Sequence, residues 1–158
     1  MPKIFKGVQH LPKINILNTS IHNLSMKETL GLVAEAISAK KQIHHVVVNA
    51  GKIVAMQKDA SLRKSVNESD IINADGQAVV WASKVLGKPL KERVAGIDLM
   101  ENLVAMAHQQ NHTVFLLGAK EEVVQKVSEI YREKYNANIV AGYRNGYFNR
   151  EDEPEIAQ

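Results

Sequence analysis

Residues 71 to 87 read IINADGQAVVWASKVLG. A short apolar run meets Asn-Ala-Asp-Gly, and a segment with an apolar face follows from Gln77. That is the pattern of a strand running directly into a helix. A carboxylate, Asp75, stands at the joint. Two readings are open there. In one, a short polar side chain caps the helix or closes an Asx turn. In the other, Asp75 is the working end of an active site, because open α/β sheets bind ligands beyond the carboxyl ends of their strands.

The same pattern recurs on both sides of this stretch. IHHVVVNAG (43–51) reads as a valine-rich strand, and KIVAMQKDASLRKSV (52–66) behind it as one helix. HTVFLLGAK (112–120) is a strand, EEVVQKVSEIYREKY (121–135) its helix, and NANIVAGY (136–143) a further strand. Near-continuous runs of Val, Ile and Leu indicate strands buried on both faces. Alternation with amphipathic helices then predicts an α/β fold, a parallel sheet flanked by helices with right-handed crossovers. Between the second and third units, a loop leads into a helix over 96–110. Upstream, Ser25 and Glu28 have capping-box spacing, so a helix is expected from Met26, with Leu30, Val33, Ala34 and Ile37 on one face. Residues 13–25 read as one strand or a small hairpin, and residues 1–13 as an arm. Trp81, Leu86 and Met100 are most simply core.

Composition narrows the classes. The chain has 158 residues, enough for one domain with a core, and no cysteine, which excludes disulfides and thiolate zinc sites. The N-terminus lacks a continuous apolar stretch of signal-peptide type, and no run approaches the length of a membrane span. Net charge is +3, with lysines spread along the chain and aromatics only 5% of residues, so nucleic acid is not an expected partner. A mild basic bias suits phosphate-bearing ligands or an anionic membrane face.

Three strand ends offer Asn49, Asp75 and Gly118, each followed by a helix N-terminus whose free N–H groups favour anions. Asn49 is equally a helix cap, and Gly118 equally a tight strand-to-helix turn. LLGAKEE lacks the three glycines of a dinucleotide fingerprint, and GKPLK is not a phosphate-binding Walker loop. His108 and His112 are four apart without the glutamate of the metalloprotease pattern, while His44 and His45 face opposite ways on a strand, so no metal site is expected. G-x-S-x-G is absent, which removes the α/β-hydrolase nucleophile. Arg93, in KERVAGIDL, has the bidentate fork that suits phosphate but also sits among exposed charges.

Taken together, NADGQAVVWASKVLGKPLKERVAGIDLM (73–100) resembles the core signature of the WecG/TagA/CpsF glycosyltransferases: an Asp-Gly pair, the helix, then ERV-x-G-x-DL. VVVNAGKIVAMQKDASLRKSVNESDIIN before it and VFLLGAKEEVVQKVSEIYREKYNANIVAGYRNGYF after it extend the resemblance from Ile14 to Phe148. The resemblance implies a Rossmann-like α/β domain over 14–158. It further implies transfer of a hexosamine-type sugar from a UDP-sugar to a polyprenyl-diphosphate-linked sugar, for teichoic acid, capsule or exopolysaccharide. The place of work would be the cytoplasmic membrane face, by peripheral contact and without a cofactor. Asp75 would be the catalytic base toward the acceptor hydroxyl, with Asn49, Gly76, Arg93 and Gly118 binding substrate.

This sequence departs from the family where Val47 stands at a common Thr position and Ala95 at a common Thr or Pro. The family also continues past this endpoint, so the chain is expected to be C-terminally truncated. The alternative function is then a catalytically incomplete nucleotide- or partner-binding module. An interrupted sheet exposes an edge and apolar helix faces, so a homo-oligomer is expected.

Overall fold

The computed structural model describes residues 10–156. Among them are seven α-helices and six strands, mixed α/β with two parallel strand pairs and one antiparallel hairpin. Among the described residues the backbone forms two compact units, which divide between Met100 and Glu101. The expected arm falls largely on residues 1–9, outside the described residues, and Lys13 already begins the first strand.

The first unit opens with the hairpin β1 (Lys13–Ile16) and β2 (Thr19–His22), which settles the choice between strand and hairpin. Its two-residue turn, Leu17-Asn18, has positive φ at both positions (46° and 59°). Leucine is a poor residue for that geometry, which normally takes Asn-Gly. The turn is held from outside: Gln57 Nε2 donates to Leu17 O (2.7 Å), and Asn67 Nδ2 to Asn18 O (2.9 Å). Helix α1 (Met26–Ser38) starts where expected, with the reciprocal Ser25–Glu28 capping box formed. Its buried positions are Thr29 and Ala36, whereas Ile37 faces out.

β3 (His45–Val48) and β4 (Ile71–Ala74) pair in parallel, with Val47 opposite Asn73 and Val48 opposite Ala74. The connection between them holds two helices rather than one, α2 (Ala50–Lys58) and α3 (Ala60–Asn67). Asp59 divides them: its backbone is extended, and its carboxylate accepts from Leu62 N–H (2.9 Å), which starts a new helix. A short acidic side chain competing for backbone N–H groups explains the break. α4 (Gln77–Val85) follows β4 and buries Val79, Val80 and Ser83. Trp81 and Leu86, read as core, are instead 63% and 57% exposed, and Met100 is half-buried. The apolar face of α4 spans more of its circumference than the core covers.

The core of this unit joins hairpin, strands and helices: Ile14, Ile16, Ile21, Val48, Ile53, Met56, Val66, Ile72, Ala74, Val79, Val80 and Leu90. β4 also carries Asn73 into it, fully buried. Asn73 Oδ1 accepts from His45 Nε2 (2.8 Å) and lies 3.4 Å from Thr29 Oγ1. His22 Nδ1 accepts the N–H of Ile72 (2.9 Å), which fixes the other ring nitrogen as the protonated one.

α5 (Gly96–Gln109) begins in the first unit and runs into the second. The second unit contains β5 (Val114–Leu117), α6 (Glu121–Lys134) and β6 (Val140–Arg144), a parallel pair with its crossover helix. α6 buries Val124, Ser128 and Tyr131. β5 is not buried on both faces: Phe115 and Leu117 are 58% and 51% exposed, because α6 covers the other side. Tyr131 donates to Glu101 Oε1 (2.8 Å) and Lys134 Nζ lies 3.0 Å from Oε2. A short α7 (Glu153–Ile156) closes the described chain.

Burial, with the nearby charge of Lys13, pushes the His22 pKa down to about 4. The ring is therefore neutral in the fold and takes up its proton on unfolding below about pH 6.5. Stability contributed by neutral His22 is complete above pH 6.5 and is lost as pH falls toward 4, by up to about 3 kcal/mol. Burial lowers His45 in the same direction. Urea unfolding at pH 7 and pH 4.5 should show a smaller stability loss in His22→Gln than in the parent. An unchanged loss would remove His22 as the acid-sensitive group.

Candidate active site at the carboxyl ends of β3 and β4

The first unit brings Asn49, Asp75, Gly76 and Gly96 together. Asp75 N–H donates to Val48 O (2.9 Å), so the residue after β4 stays registered on the end of β3. A methyl group on Gly76 would stand 3.4 Å from Asn49 Cβ. One on Gly96 would stand 3.3 Å from Val47 Cγ2 and 3.5 Å from Asp75 Oδ2. Small residues at 76 and 96 thus let three chain segments meet around one carboxylate. Gly96 was not singled out from the sequence; its place in KERVAGIDL, directly before a helix, was the available signal.

The helix-cap alternatives resolve differently at the two polar positions. Asn49 is the N-cap of α2, its Oδ1 accepting from Lys52 N–H (2.9 Å). Asp75 is not a cap: Gly76 holds that position in α4 and has no side chain to offer. The Asp75 carboxylate makes no hydrogen bond or ion pair among the described residues. It is half-buried. Lys52 also reaches the site's margin, its Nζ donating to Val47 O (2.8 Å). No motif in the sequence marked it.

Three helix N-termini follow the strand ends, and they differ in what occupies them. That of α2 carries the Asn49 cap. That of α6 carries Glu121 and Glu122 in its first turn. That of α4 has neither a side-chain cap nor an acidic residue in its first turn. Its leading N–H groups remain available to an anion, with the helix dipole behind them.

The loop before α5 is docked from several sides. Val94 N–H donates to Ala74 O (2.9 Å), extending the hydrogen bonding of β4. Leu90 N–H donates to the buried Ser83 Oγ (3.0 Å), and Lys91 N–H to Asn23 Oδ1 (2.8 Å). Lys91 Nζ meets Glu28 Oε1 (2.6 Å), and Glu92 accepts from Met26 N–H. Arg93 sits next to the docked Val94 and is half-exposed, its guanidinium 3.8 Å from Asp98.

Gly118 belongs to the second unit. Its φ is +140°, and Ala119 beside it is also positive (57°). Gly118 N–H donates to Arg144 O (3.0 Å), and a methyl on Gly146 would fall 3.1 Å from Gly118 Cα. Backbone conformation accounts for a glycine at 118, where an added methyl would meet open space, and close packing accounts for one at 146. Of the histidines weighed for metal, His108 shares Nδ1 with Asn136 Nδ2 (2.9 Å). His44 Nδ1 meets Ser69 Oγ (3.1 Å).

A strand-end carboxylate beside an open helix N-terminus is an arrangement of α/β proteins that suits a polar, anionic ligand. The family profile described as the glycosyl transferase WecG/TagA/CpsF family matches residues 14–158, and the chain belongs to that family. It is similar to N-acetylglucosaminyldiphosphoundecaprenol N-acetyl-beta-D-mannosaminyltransferases of Staphylococcus aureus strains NCTC 8325 / PS 47 and COL. Both are 32% identical over 147 residues, 91% of this chain and 57% of the relative. The chain thus spans little more than half the length of the curated relatives it matches. Among the described residues, no helix is long and apolar enough to cross a membrane.

The cap and the pocket roles of Asn49 can be separated. Asn49→Ala should lose about 1 kcal/mol of stability with the cap, whereas Asn49→Asp should stay within about 0.5 kcal/mol. If the amide Nδ2 faces a ligand, both variants should weaken binding. Chemical denaturation with parallel ligand titration reads both effects; equal stability in the two variants would refute the capping role.

Proposed function

We propose that this chain carries the catalytic base and the acceptor-side pocket of a glycosyltransferase. It would move a hexosamine-type sugar from a UDP-sugar to a polyprenyl-diphosphate-linked sugar in cell-surface polysaccharide or teichoic acid synthesis. Family membership supports the reaction class, and the activity for which the relatives are named supports the acceptor chemistry. The observation that carries the residue assignment is the Asp75 carboxylate. It has no partner among the described residues and stands beside the uncapped start of α4.

The chemistry assigned to these groups is a single displacement. Asp75 accepts the proton of the acceptor hydroxyl as that oxygen bonds to the anomeric carbon of the donor. The bond from that carbon to the diphosphate breaks, and its electron pair leaves with UDP. The developing charge on the diphosphate is met by the N–H groups at the start of α4 and by the Arg93 fork. Asn49 and Gly76 shape the wall beside the sugar.

Asp75→Asn should lower transfer by about 100-fold or more. UDP affinity, followed by amide shifts in the labelled chain, should stay within about threefold, since the neighbouring amides and Arg93 are untouched. Transfer at parental rate by Asp75→Asn would overturn the base assignment. UDP binding without any transfer by the parent chain would establish the binding-module alternative instead.

A further inference from the structure

One face of the β3–β4 pair leads from the core to the site. Successive side chains on a strand alternate between faces. The bond between His45 and Asn73 puts those two on one face, and the register carries that face up through Val47 on β3 and Asp75 after β4. A methyl on Gly96 would meet both Val47 Cγ2 and Asp75 Oδ2, which places these side chains together on it. Asn73 therefore stands one step beneath Asp75, directly across from Val47.

Asn73 is fully buried, and its amide is only half used. Oδ1 accepts from His45, which pairs with Ile71 nearer the start of the strands, and Thr29 Oγ1 lies against the same oxygen. The amide is planar, with Oδ1 and Nδ2 on opposite sides of Cγ. An oxygen held toward the strand start turns Nδ2 toward the carboxyl end, where Asp75 follows. Nδ2 has no hydrogen-bond partner in the protein, and the Asp75 carboxylate has none among the described residues. A link to His45 alone needs only an acceptor, and a second, desolvated donor is costly unless something takes its proton. Two strand residues span about 6.6 Å, and two hydrogen bonds meeting at one water span about 5.7 Å, so a single water bridges the pair. Buried waters take such places between otherwise unpaired polar groups.

We propose that Asn73 is a positioning residue for Asp75: its Nδ2 donates, through one bound water, to the Asp75 carboxylate and aims that group at the acceptor hydroxyl. The proposal rests on the reading of Asp75 as the base and adds what holds it. His45 and Thr29 fix the amide from below, and the water passes the contact on to the carboxylate. A donor directed at the ionised form favours that form. One carboxylate oxygen is held from beneath, and the other stays free for the acceptor proton.

Magnetic resonance on the whole isotope-labelled chain tests this without requiring transfer. The side-chain amide signal of Asn73 should move with pH in step with the carboxyl carbon of Asp75, and in Asp75→Asn that movement should disappear. The other titratable or charged groups on the elements packed here are His45 on β3, His22 on β2, Lys52 on α2 and the Arg93–Asp98 pair at the start of α5. Movement that persists in Asp75→Asn belongs to one of these and overturns the proposal. Asn73→Leu keeps the shape of the amide and removes its donor. It should raise the pH at which the Asp75 carboxyl carbon titrates by about one unit, and the acid limb of the transfer–pH profile with it. In the same variant kcat should fall roughly tenfold with KM little changed. Thr29→Val, which removes only a neighbour of the amide oxygen, should leave the Asp75 titration as in the parent. An unmoved titration in folded Asn73→Leu, or an equal rise in Thr29→Val, would refute the positioning role. The parent measurement decides by itself where Asn73→Leu does not fold. Failure of the base reading shows differently: transfer by Asp75→Asn at the parental rate removes the base and leaves the coupling of amide and carboxyl intact.

Discussion

The first unit depends on how β4 satisfies its backbone. All four of its residues are buried, so every N–H and C=O must find a partner inside the protein. They come from three places. The parallel partner β3 supplies one edge, continued by Asp75 N–H on Val48 O. A ring nitrogen of His22 takes the N–H of Ile72, and the loop before α5 supplies Val94 N–H to Ala74 O. Each solution ties a distant segment to the strand, and the last two bring the hairpin and the KERVAGIDL loop to it. The site is assembled by the same bonds, because Asp75 and Gly96 flank the points where they are made.

That solution has a residual cost inside the core. Asn73 Nδ2 and His22 Nε2 are buried without a protein hydrogen-bond partner. Both are donors once Nδ1 of His22 and Oδ1 of Asn73 are committed as acceptors. Unpaired buried donors are expensive, of order 1–3 kcal/mol each. The stability of this region therefore rests on the surrounding apolar packing of Ile21, Ile71, Ile72 and Val48, all essentially inaccessible. The acid sensitivity of His22 follows from the same placement.

The three strand-to-helix junctions show how similar local sequences diverge in use. An asparagine that caps, a pair of glutamates in the first turn, and a glycine that leaves the turn open give helix N-termini of different electrostatic character. Only the last keeps its N–H groups free of both a side-chain acceptor and a repelling carboxylate. Its neighbour Asp75 is thereby left as a side chain with no structural task among the described residues.

Alternating apolar runs and amphipathic segments were enough to read the strand-and-helix order, the parallel pairs and the capping box, because these depend on local periodicity and on contacts three residues apart. The Asp-Gly joint was legible for the same reason. What the sequence could not decide was set by contacts between distant residues. The break at Asp59 depends on one carboxylate outcompeting helix continuation, and the exposure of Trp81 and Leu86 depends on which arc of α4 the core covers. Whether Asn49 or Asp75 would be spent as a cap was open until the backbone at each helix start was in place. Gly96 became a site residue only when the docking of Val94 on β4 carried it to Asp75. Local chemistry determined the elements; hydrogen bonds made across long sequence separations decided which side chains were left free to act.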